Sequence, residues 1–150
     1  MDFVLTSSAF TDGQALPRDH AADGADDSPP LAWANVPAGA VELALILEDP
    51  DAPNGDFVHW VVYAIPPSMP ELRQGVSPQE PGFTQGRNDF GHVGYRGPGP
   101  PPGKVHHYRF RLMALDQATG LGADADKRAL RAAVQGHVIA EAQLVGTYER

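Results

Sequence analysis

The residues of this chain best suited to chemistry are an aspartate, two histidines and a tyrosine that accompany apolar segments. Asp49 opens the motif Asp49-Pro50-Asp51-Ala52-Pro53 and, with Glu48, ends an aliphatic run. His59 lies inside a second apolar run, and His106 and Tyr108 begin a third. An aspartate close to two imidazoles orients their N–H groups and favours their protonated, cationic forms. We therefore expect one polar pocket that either binds an anion or performs acid–base chemistry.

A loop rich in glycine and proline comes shortly before His106. Its sequence is Gly97-Pro98-Gly99-Pro100-Pro101-Pro102-Gly103. Glycines without side chains let backbone N–H groups approach a phosphate closely, and prolines hold the shape of a loop. The loop therefore favours anion binding.

Five segments have the composition of β-strands and one has that of a helix. The strands are predicted at Phe3–Thr6, Val41–Leu47, Phe57–Ile65, His106–Leu115 and Val138–Tyr148. The helix is predicted between Asp124 as its N-cap and Gly136 as its C-terminal stop. Residues 11–30, 68–81 and 86–103 contain scattered Pro, Gly and polar residues and are predicted as loops.

Strand alternation predicts which side chains face the core. From His106 to Ala114, the even-numbered residues become apolar after the first two, so His106 and Tyr108 are expected to point inward. His107 belongs with the arginines of the opposite, more solvated face. By the same rule His59 shares a face with four other residues of its strand, which are Phe57, Val61, Tyr63 and Ile65.

Composition and charge exclude several classes of protein. The 150 residues fit a single domain, 1–150, without cysteine and with a net charge of −8. An acidic chain without a basic stripe is not expected to bind nucleic acid. No signal peptide and no transmembrane segment is recognisable, and we expect a cytoplasmic protein.

No cofactor motif is present, and we expect no bound metal ion. Gly103-Lys104 does not complete a P-loop, and Asp89-Phe90-Gly91 lacks the other motifs of a kinase. Adjacent His106 and His107 point to opposite strand faces and so cannot chelate one metal together. A metal site made of His59, His106 and Asp49 is the alternative that remains.

Four motifs occur in an order that resembles the phosphatidylethanolamine-binding protein family, also called the Raf kinase inhibitor protein family. They are Asp-Pro-Asp-Ala-Pro at 49–53, His-Trp at 59–60, Gly-x-Gly-Pro-Pro at 97–101 and His-x-Tyr at 106–108. Ser28-Pro29-Pro30-Leu31-x-Trp33, Gly86-Arg87-Asn88-Asp89-Phe90-Gly91 and Gly146-Thr147-Tyr148 are similar to its bacterial branch.

The resemblance implies a mostly β fold, with a large central sheet packed against a smaller second sheet and a peripheral helix near 124–136. It also implies a small anion-binding pocket at one end of the central sheet. Carried over by motif, the ligand-binding residues are Asp49, Pro53, His59, Gly99, Pro101, His106 and Tyr108. Phe57 stands where eukaryotic relatives carry a pocket tryptophan, so an aromatic wall of another shape is expected.

The chain also departs from the family pattern. It has Ala22 where bacterial relatives often have cysteine, and Asp26 where they often have asparagine. Neither position is expected to touch the anion pocket. Nothing after Tyr148 corresponds to the C-terminal helix that partly closes the pocket of mammalian members, so a more open pocket is expected.

The leading hypothesis for function is a non-enzymatic binding protein. Its ligand would be a phosphate- or carboxylate-bearing group, such as a phospholipid headgroup or a phospho-residue, and it would regulate a kinase or another protein partner. The alternative is a small hydrolase, with His106 as general base, Asp49 as its orienting group and His59 as electrophilic donor. A purely structural domain and a homodimer paired through the last strand are further alternatives.

Overall fold

The computed structural model describes residues 1–150, and its strands form two antiparallel sheets. The elements are β1 (Val4–Thr6), β2 (Leu31–Ala34), β3 (Glu42–Asp49), β4 (Phe57–Ile65), β5 (Glu71–Leu72), β6 (Thr84–Gln85), β7 (His106–Leu115), α1 (Lys127–Val134) and β8 (Val138–Tyr148), with a short 3-10 helix at Arg18–His20. The large sheet has the order β6-β4-β3-β7-β8, and the small sheet has the order β1-β2-β5. The predicted mostly β fold with two sheets is confirmed.

The main core lies between the two sheets. Leu45 and Leu47 of β3 and Phe110 of β7 pack in one cluster with Leu31 and Trp33 of β2. A smaller core fills the opposite face of the large sheet, where α1 covers β3, β4 and β7. The large sheet is therefore buried on both faces over much of its centre, which explains why residues 43–47 of β3 and 60–63 of β4 are apolar on both faces.

Three short strands do not follow from the sequence pattern. β2 and β6 were not expected, and β5 lies in the segment 68–81 that was predicted as a loop. β5 and β6 each have only two residues, so no alternation is available to identify them. Side-chain hydrogen bonds hold such segments in place. For example, the Trp33 indole N–H of β2 donates to the Met69 carbonyl before β5, 2.7 Å away.

The helix begins two residues later than the sequence predicts. Asp126 is its N-cap, because its carboxylate accepts a hydrogen bond from the Ala129 N–H at 2.9 Å. Asp124 lies before the helix with a left-handed backbone, φ 69°. Gly136, at φ 81°, follows the last turn and confirms the predicted stop.

Two β-bulges interrupt the alternation of β4. Leu47 pairs with Trp60 and Glu48 pairs with Val58, so His59 is an extra residue opposite β3. The second irregularity lies before Ile65, and Ala64 has the unusual φ of 56°. The expectation that His59 shares one face with Val61 and Tyr63 is therefore wrong, because the bulge at His59 shifts the alternation by one residue. The second bulge shifts it back, so Ile65 lies on the face of His59, in the same core as Tyr108.

β8 is an edge of the large sheet, but half of that edge is covered. The Gly13 N–H donates to the Val145 carbonyl at 2.7 Å, and the Leu16 N–H donates to the Thr147 carbonyl at 2.8 Å. Dimerisation through this strand stays a prediction, and only the part before Val145 is open to it. No helix of the chain is both long and apolar enough to cross a bilayer.

Candidate functional site

An open cleft of about 310 Å³ lies at the end of the large sheet where β3 ends and β7 begins. It is lined by all seven residues that the sequence singles out, which are Asp49, Pro53, His59, Gly99, Pro101, His106 and Tyr108. Eight further residues complete the lining: Ala22, Ala52, Phe57, Phe90, Arg96, Gly97, Pro100 and Arg150.

Asp49 and His106 form a buried pair at the base of the cleft. The Asp49 Oδ2 lies 2.6 Å from the His106 Nδ1, and Asp49 Oδ1 accepts the Asp51 N–H at 2.9 Å. Asp49 and His106 are each 3% exposed. An ionised carboxylate only accepts hydrogen bonds, so the Nδ1 of His106 carries a proton and its Nε2 is the free ring nitrogen.

The second aspartate of the motif holds the neighbouring histidine. Asp51 Oδ2 accepts hydrogen bonds from the His107 N–H and from the His107 Nδ1, both at 2.8 Å. These bonds lower the pKa of the Asp51 carboxyl. His107 is exposed, as predicted from the alternation of β7. Asp49 and Asp51 thus connect the turn after β3 to His106 and His107, which lie on opposite faces of β7.

His59 belongs to the same cleft but has a different partner. Its Nδ1 lies 2.7 Å from the Arg96 carbonyl oxygen, so that nitrogen donates and Nε2 is free. Burial lowers the pKa of His59, although the Arg96 carbonyl and Asp49 oppose this effect. The expectation that Asp49 makes both imidazoles cationic is therefore wrong for His59, because burial outweighs the charge of Asp49.

Three aromatic rings surround the imidazole of His59. The ring centroids of Phe57, Phe90 and Tyr108 lie 5.4, 5.3 and 5.3 Å from that of His59, all edge to face. An aromatic wall that includes Phe57 was expected from the resemblance. Phe90 was not predicted to line the cleft, because the sequence around it resembles the bacterial branch of the family but gives no indication of which side chains reach the pocket.

Asp89 explains how Phe90 reaches the cleft. Its N–H donates to the Val58 carbonyl at 2.9 Å, and its carboxylate accepts the Val58 N–H at 2.8 Å. The same carboxylate oxygen lies 2.7 Å from Lys127 Nζ. Asp89 thus continues the hydrogen bonding of β4 beside the bulge at His59 and fixes the next residue, Phe90, against the histidine.

The glycine–proline loop offers fewer N–H groups than its composition indicates. Four of its seven residues are prolines, which have no N–H. The Gly97 N–H donates to Asp26 Oδ1 at 2.6 Å, and the Gly103 N–H donates to the Arg150 carbonyl at 3.2 Å. Only the Gly99 N–H has no protein acceptor. Gly97 is needed for close packing, since a Cβ there would overlap the His20 carbonyl oxygen.

Comparison with known proteins agrees with the motifs that line this cleft. A sequence model of the phosphatidylethanolamine-binding protein family matches residues 6–149. The chain belongs to this family.

Several relatives match along almost the whole chain. A UPF0098 protein of Methanothermobacter thermautotrophicus is 46% identical over 149 residues, which are 97% of this chain and 98% of that protein. A solved structure of the putative phosphatidylethanolamine-binding protein homolog CT736 of Chlamydia trachomatis is similar, with a TM-score of 0.92, 39% identity and coverage of 99% and 98%. YbcL of E. coli, described as a new member of the mammalian PEBP family, has a TM-score of 0.93, 31% identity and coverage of 100% and 99%.

One of the two departures from the family pattern, Ala22, lies in the cleft, contrary to expectation, whereas Asp26 does not line it. Ala22 is part of its lining, next to Gly99. Asp26 lies just behind it and accepts the Gly97 N–H. Asp26 has φ 59°, a left-handed conformation that aspartate and asparagine adopt more readily than most residues. An aspartate in place of the asparagine of relatives therefore preserves the turn.

Two arginines of the cleft were also missed. Arg96 Nε lies 3.6 Å from Asp26 Oδ2, and Arg150 Nε lies 3.7 Å from Asp23 Oδ2. Neither guanidinium makes a hydrogen bond within 3.5 Å to a protein acceptor. The net charge of −8 gave no indication that two guanidinium groups line the cleft.

Tyr108 has a hydroxyl that stays protonated. Burial, together with the negative charge of Asp49, raises the pKa of Tyr108. Its oxygen is therefore a hydrogen-bond donor or acceptor and a poor nucleophile at neutral pH. The cleft thus combines two imidazole Nε2 atoms, a phenol, one free backbone N–H and two guanidinium groups.

Proposed function

We propose that this chain is a binding protein for small groups that bear a phosphate or a carboxylate. The observation that carries the proposal is the Asp49–His106 pair, which lies beside His59 in one cleft. Each imidazole has its Nδ1 bonded to a protein acceptor, which leaves Nε2 as the nitrogen available to a ligand. A protonated Nε2 donates to an anionic oxygen, and a neutral Nε2 accepts from a protonated one.

This arrangement couples anion binding to protonation. A buried histidine that is neutral in the free protein gains a proton more readily when a phosphate oxygen occupies the cleft. Binding of a dianion therefore takes up protons, or else selects the monoanion. The Gly99 N–H and the Tyr108 hydroxyl add donors that do not depend on pH in the neutral range.

Hydrolysis is the second candidate, and the same Asp49–His106 pair favours it, because a carboxylate that orients an imidazole is a common arrangement of a general base. The lining contains no serine, threonine, cysteine or lysine that could act as nucleophile. A hydrolase would have to activate water directly. Turnover of phosphate or carboxylate esters that is lost in His106→Ala would support this candidate against simple binding.

The test of binding is an NMR titration of the histidine side chains with inorganic phosphate, phosphoethanolamine and acetate. We expect saturable shifts at His59 and His106 at ligand concentrations up to about 1 mM. These shifts should disappear in His106→Ala. The matched control is His107→Ala, because His107 is adjacent in sequence but exposed on the opposite face of the strand.

Unmoved resonances in the unmodified protein at millimolar phosphate would contradict the proposal. So would equal binding by His106→Ala and the unmodified protein. If His107→Ala loses binding as fully as His106→Ala, the shifts report a change at the start of β7 and not contact with the cleft.

Other expectations from the sequence remain proposals. We propose that residues 1–150 act as one domain, that they function in the cytoplasm, and that a phospholipid headgroup or a phospho-residue of a kinase-like partner supplies the anion. The family membership supports the last point in general terms. Fractionation of producing cells and capture of phosphorylated partners by the unmodified protein, compared with His106→Ala, test these points.

A further inference from the structure

The charges at the mouth of the cleft differ from those of the whole chain. Two arginines and one aspartate line the cleft, whereas the net charge of the protein is −8. Arg96 and Arg150 are 48% and 39% exposed, so both side chains are accessible to solvent and to a ligand. The lining therefore carries two guanidinium groups and one carboxylate, while Asp26 and Asp23 lie next to the two arginines outside the lining.

The guanidinium groups of Arg96 and Arg150 have unused hydrogen-bond donors. Each is near one carboxylate, Asp26 or Asp23, but the nearest distances, 3.6 and 3.7 Å from Nε, are longer than a hydrogen bond. Their terminal nitrogens therefore remain free for an anion, and a guanidinium binds phosphate or carboxylate oxygens in a forked geometry.

Each carboxylate in or next to the cleft already accepts at least one hydrogen bond from the protein. Asp49 accepts from His106 and from the Asp51 N–H. Asp26 accepts the Gly97 N–H at 2.6 Å, and Asp23 accepts the Tyr148 hydroxyl at 2.8 Å. No acidic side chain of the lining is left to bind a ligand ammonium group.

The aromatic wall does not offer an ammonium site either. The guanidinium carbon of Arg96 lies 5.3 Å from the centroid of Phe90, within the range of a cation–π contact. A ligand cation at this ring would meet the positive charge of Arg96. Phe57, Phe90 and the prolines instead suit an uncharged apolar substituent, and about 310 Å³ leaves room for one beside a phosphate.

From this charge pattern, and resting on the proposed anion-binding function, we infer that the cleft selects phosphate monoesters with an uncharged apolar body and discriminates against zwitterionic headgroups. Arg96 and Arg150 are the residues that determine this specificity. They bind the outer oxygens of a dianionic phosphate, while the histidines and the Gly99 N–H contact its inner oxygens.

The test compares two ligands that differ by one charge. Propyl phosphate and phosphoethanolamine have nearly the same shape, but a methyl group replaces the ammonium group. In calorimetric titrations at pH 7.5 we expect propyl phosphate to bind at least about tenfold more tightly. Dihexanoyl phosphatidic acid carries the same monoester on a lipid. Tighter binding of this lipid than of propyl phosphate supports the proposal with a lipid source, and weaker binding supports it with a soluble ester.

Substitution of the arginines tests whether they cause the preference for propyl phosphate. Arg96→Gln and Arg150→Gln should each weaken propyl phosphate binding about tenfold, the usual effect of losing a charge-assisted contact, and should reduce the preference over phosphoethanolamine. Arg128→Gln is the control, because it removes the same charge from an exposed helix position outside the cleft. Thermal unfolding of each variant verifies that it is folded.

Equal or tighter binding of phosphoethanolamine would overturn this inference and leave the proposed function intact. The same holds if Arg96→Gln and Arg150→Gln bind propyl phosphate like Arg128→Gln. Failure of every phosphate ligand to bind the unmodified protein would overturn the proposed function as well.

Discussion

Glu48 and Asp49 are consecutive acidic residues at the end of β3, yet they serve two different regions of the molecule. Alternation in the strand points Asp49 into the cleft and Glu48 to the opposite face of the sheet. Glu48 is fully buried and accepts four hydrogen bonds from arginines. The arginines are Arg109, Arg111 and Arg131, at 2.7 to 3.1 Å.

In the cleft the relation between carboxylates and arginines is reversed. The carboxylates have partners, but the guanidinium groups of Arg96 and Arg150 make no hydrogen bond to the protein. A buried charge must be neutralised and hydrogen-bonded if it is to be tolerated, and an exposed one need not be. The cluster around Glu48 therefore uses all its charges to hold the sheet together, whereas the cleft retains hydrogen-bond donors that the protein itself does not use.

Glu48→Gln should have the largest effect on stability. Burial raises the pKa of Glu48, but hydrogen bonds and charges from Arg109 and Arg111 outweigh it, so the pKa is lowered. Loss of this carboxylate leaves the arginines without a common partner and should cost about 3 kcal/mol in the free energy of unfolding. Urea denaturation measures it, with Glu141→Gln as the control. Glu141 binds Arg111 near the surface, so its loss should cost less than about 1 kcal/mol.

A similar loss of stability in both variants would contradict the special role of the buried carboxylate. Phosphate affinity of the folded fraction is expected to be unchanged in both, because neither side chain lines the cleft. A loss of affinity in Glu48→Gln alone would show that the two regions are coupled through β3.

Asp49→Asn should have the next largest effect, and it should act on both stability and binding. The substitution removes the charged acceptor of His106 Nδ1, at a cost of about 2 kcal/mol. We also expect phosphate affinity to fall at least about tenfold, since the imidazole loses its orientation. The control is Asp51→Asn in the same turn, which affects His107 outside the cleft. Denaturation and phosphate titration should separate the two variants, and equal affinities would contradict the assignment of Asp49 to the site.

The pH dependence of stability should reveal His59. Burial lowers its pKa in the folded protein below the value of about 6.5 that it has when unfolded. Its contribution is therefore complete above about pH 6.5 and is lost as the pH falls towards the folded pKa, by at most about 1.4 kcal/mol per pH unit. Urea denaturation between pH 7.5 and 5.5 measures the loss, and His59→Gln should flatten it.

Inorganic phosphate should oppose this loss, because it favours protonated His59 in the folded protein. Glu48 does not interfere in this range, since its lowered pKa places its titration at more acidic pH. If the slope between pH 7.5 and 5.5 is the same in His59→Gln, another group is responsible for it.

The parts of this site that depend on neighbouring residues in the sequence could be predicted, whereas the parts that depend on distant segments could not. His106 and Tyr108 were assigned correctly to the inner face because β7 alternates without interruption from His106 to Ala114. The surroundings of His59 were not predicted correctly, because the β-bulge at His59 depends on the partner strand β3 and on Asp89. Local alternation contains no information about either.

The missed arginines show the same limit over longer separations. Arg96 is brought to Asp26, and Arg150 to Asp23, by loops far apart in sequence. Similarly, β5 and β6 exist because side-chain bonds hold their loops, as where the Trp60 indole N–H donates to Gln85 Oε1 at 2.8 Å. The two-sheet fold and the seven cleft residues followed from the family resemblance that the motifs carry, whereas these contacts required the tertiary structure.

The smallest predicted effect concerns the start of α1, where the sequence suggested the wrong aspartate. Asp126→Ala removes the bond to the Ala129 N–H and should cost about 1 kcal/mol, whereas Asp126→Asn should retain most of the stability because asparagine also caps helices well. Arg131 of α1 binds Glu48, so the loss of stability should arise on the face of the sheet opposite the cleft. Urea denaturation measures the loss, and phosphate titration should show unchanged affinity. Equal stability of the two variants would mean that the cap contributes nothing, and weaker phosphate binding in Asp126→Ala would mean that the helix also supports the cleft.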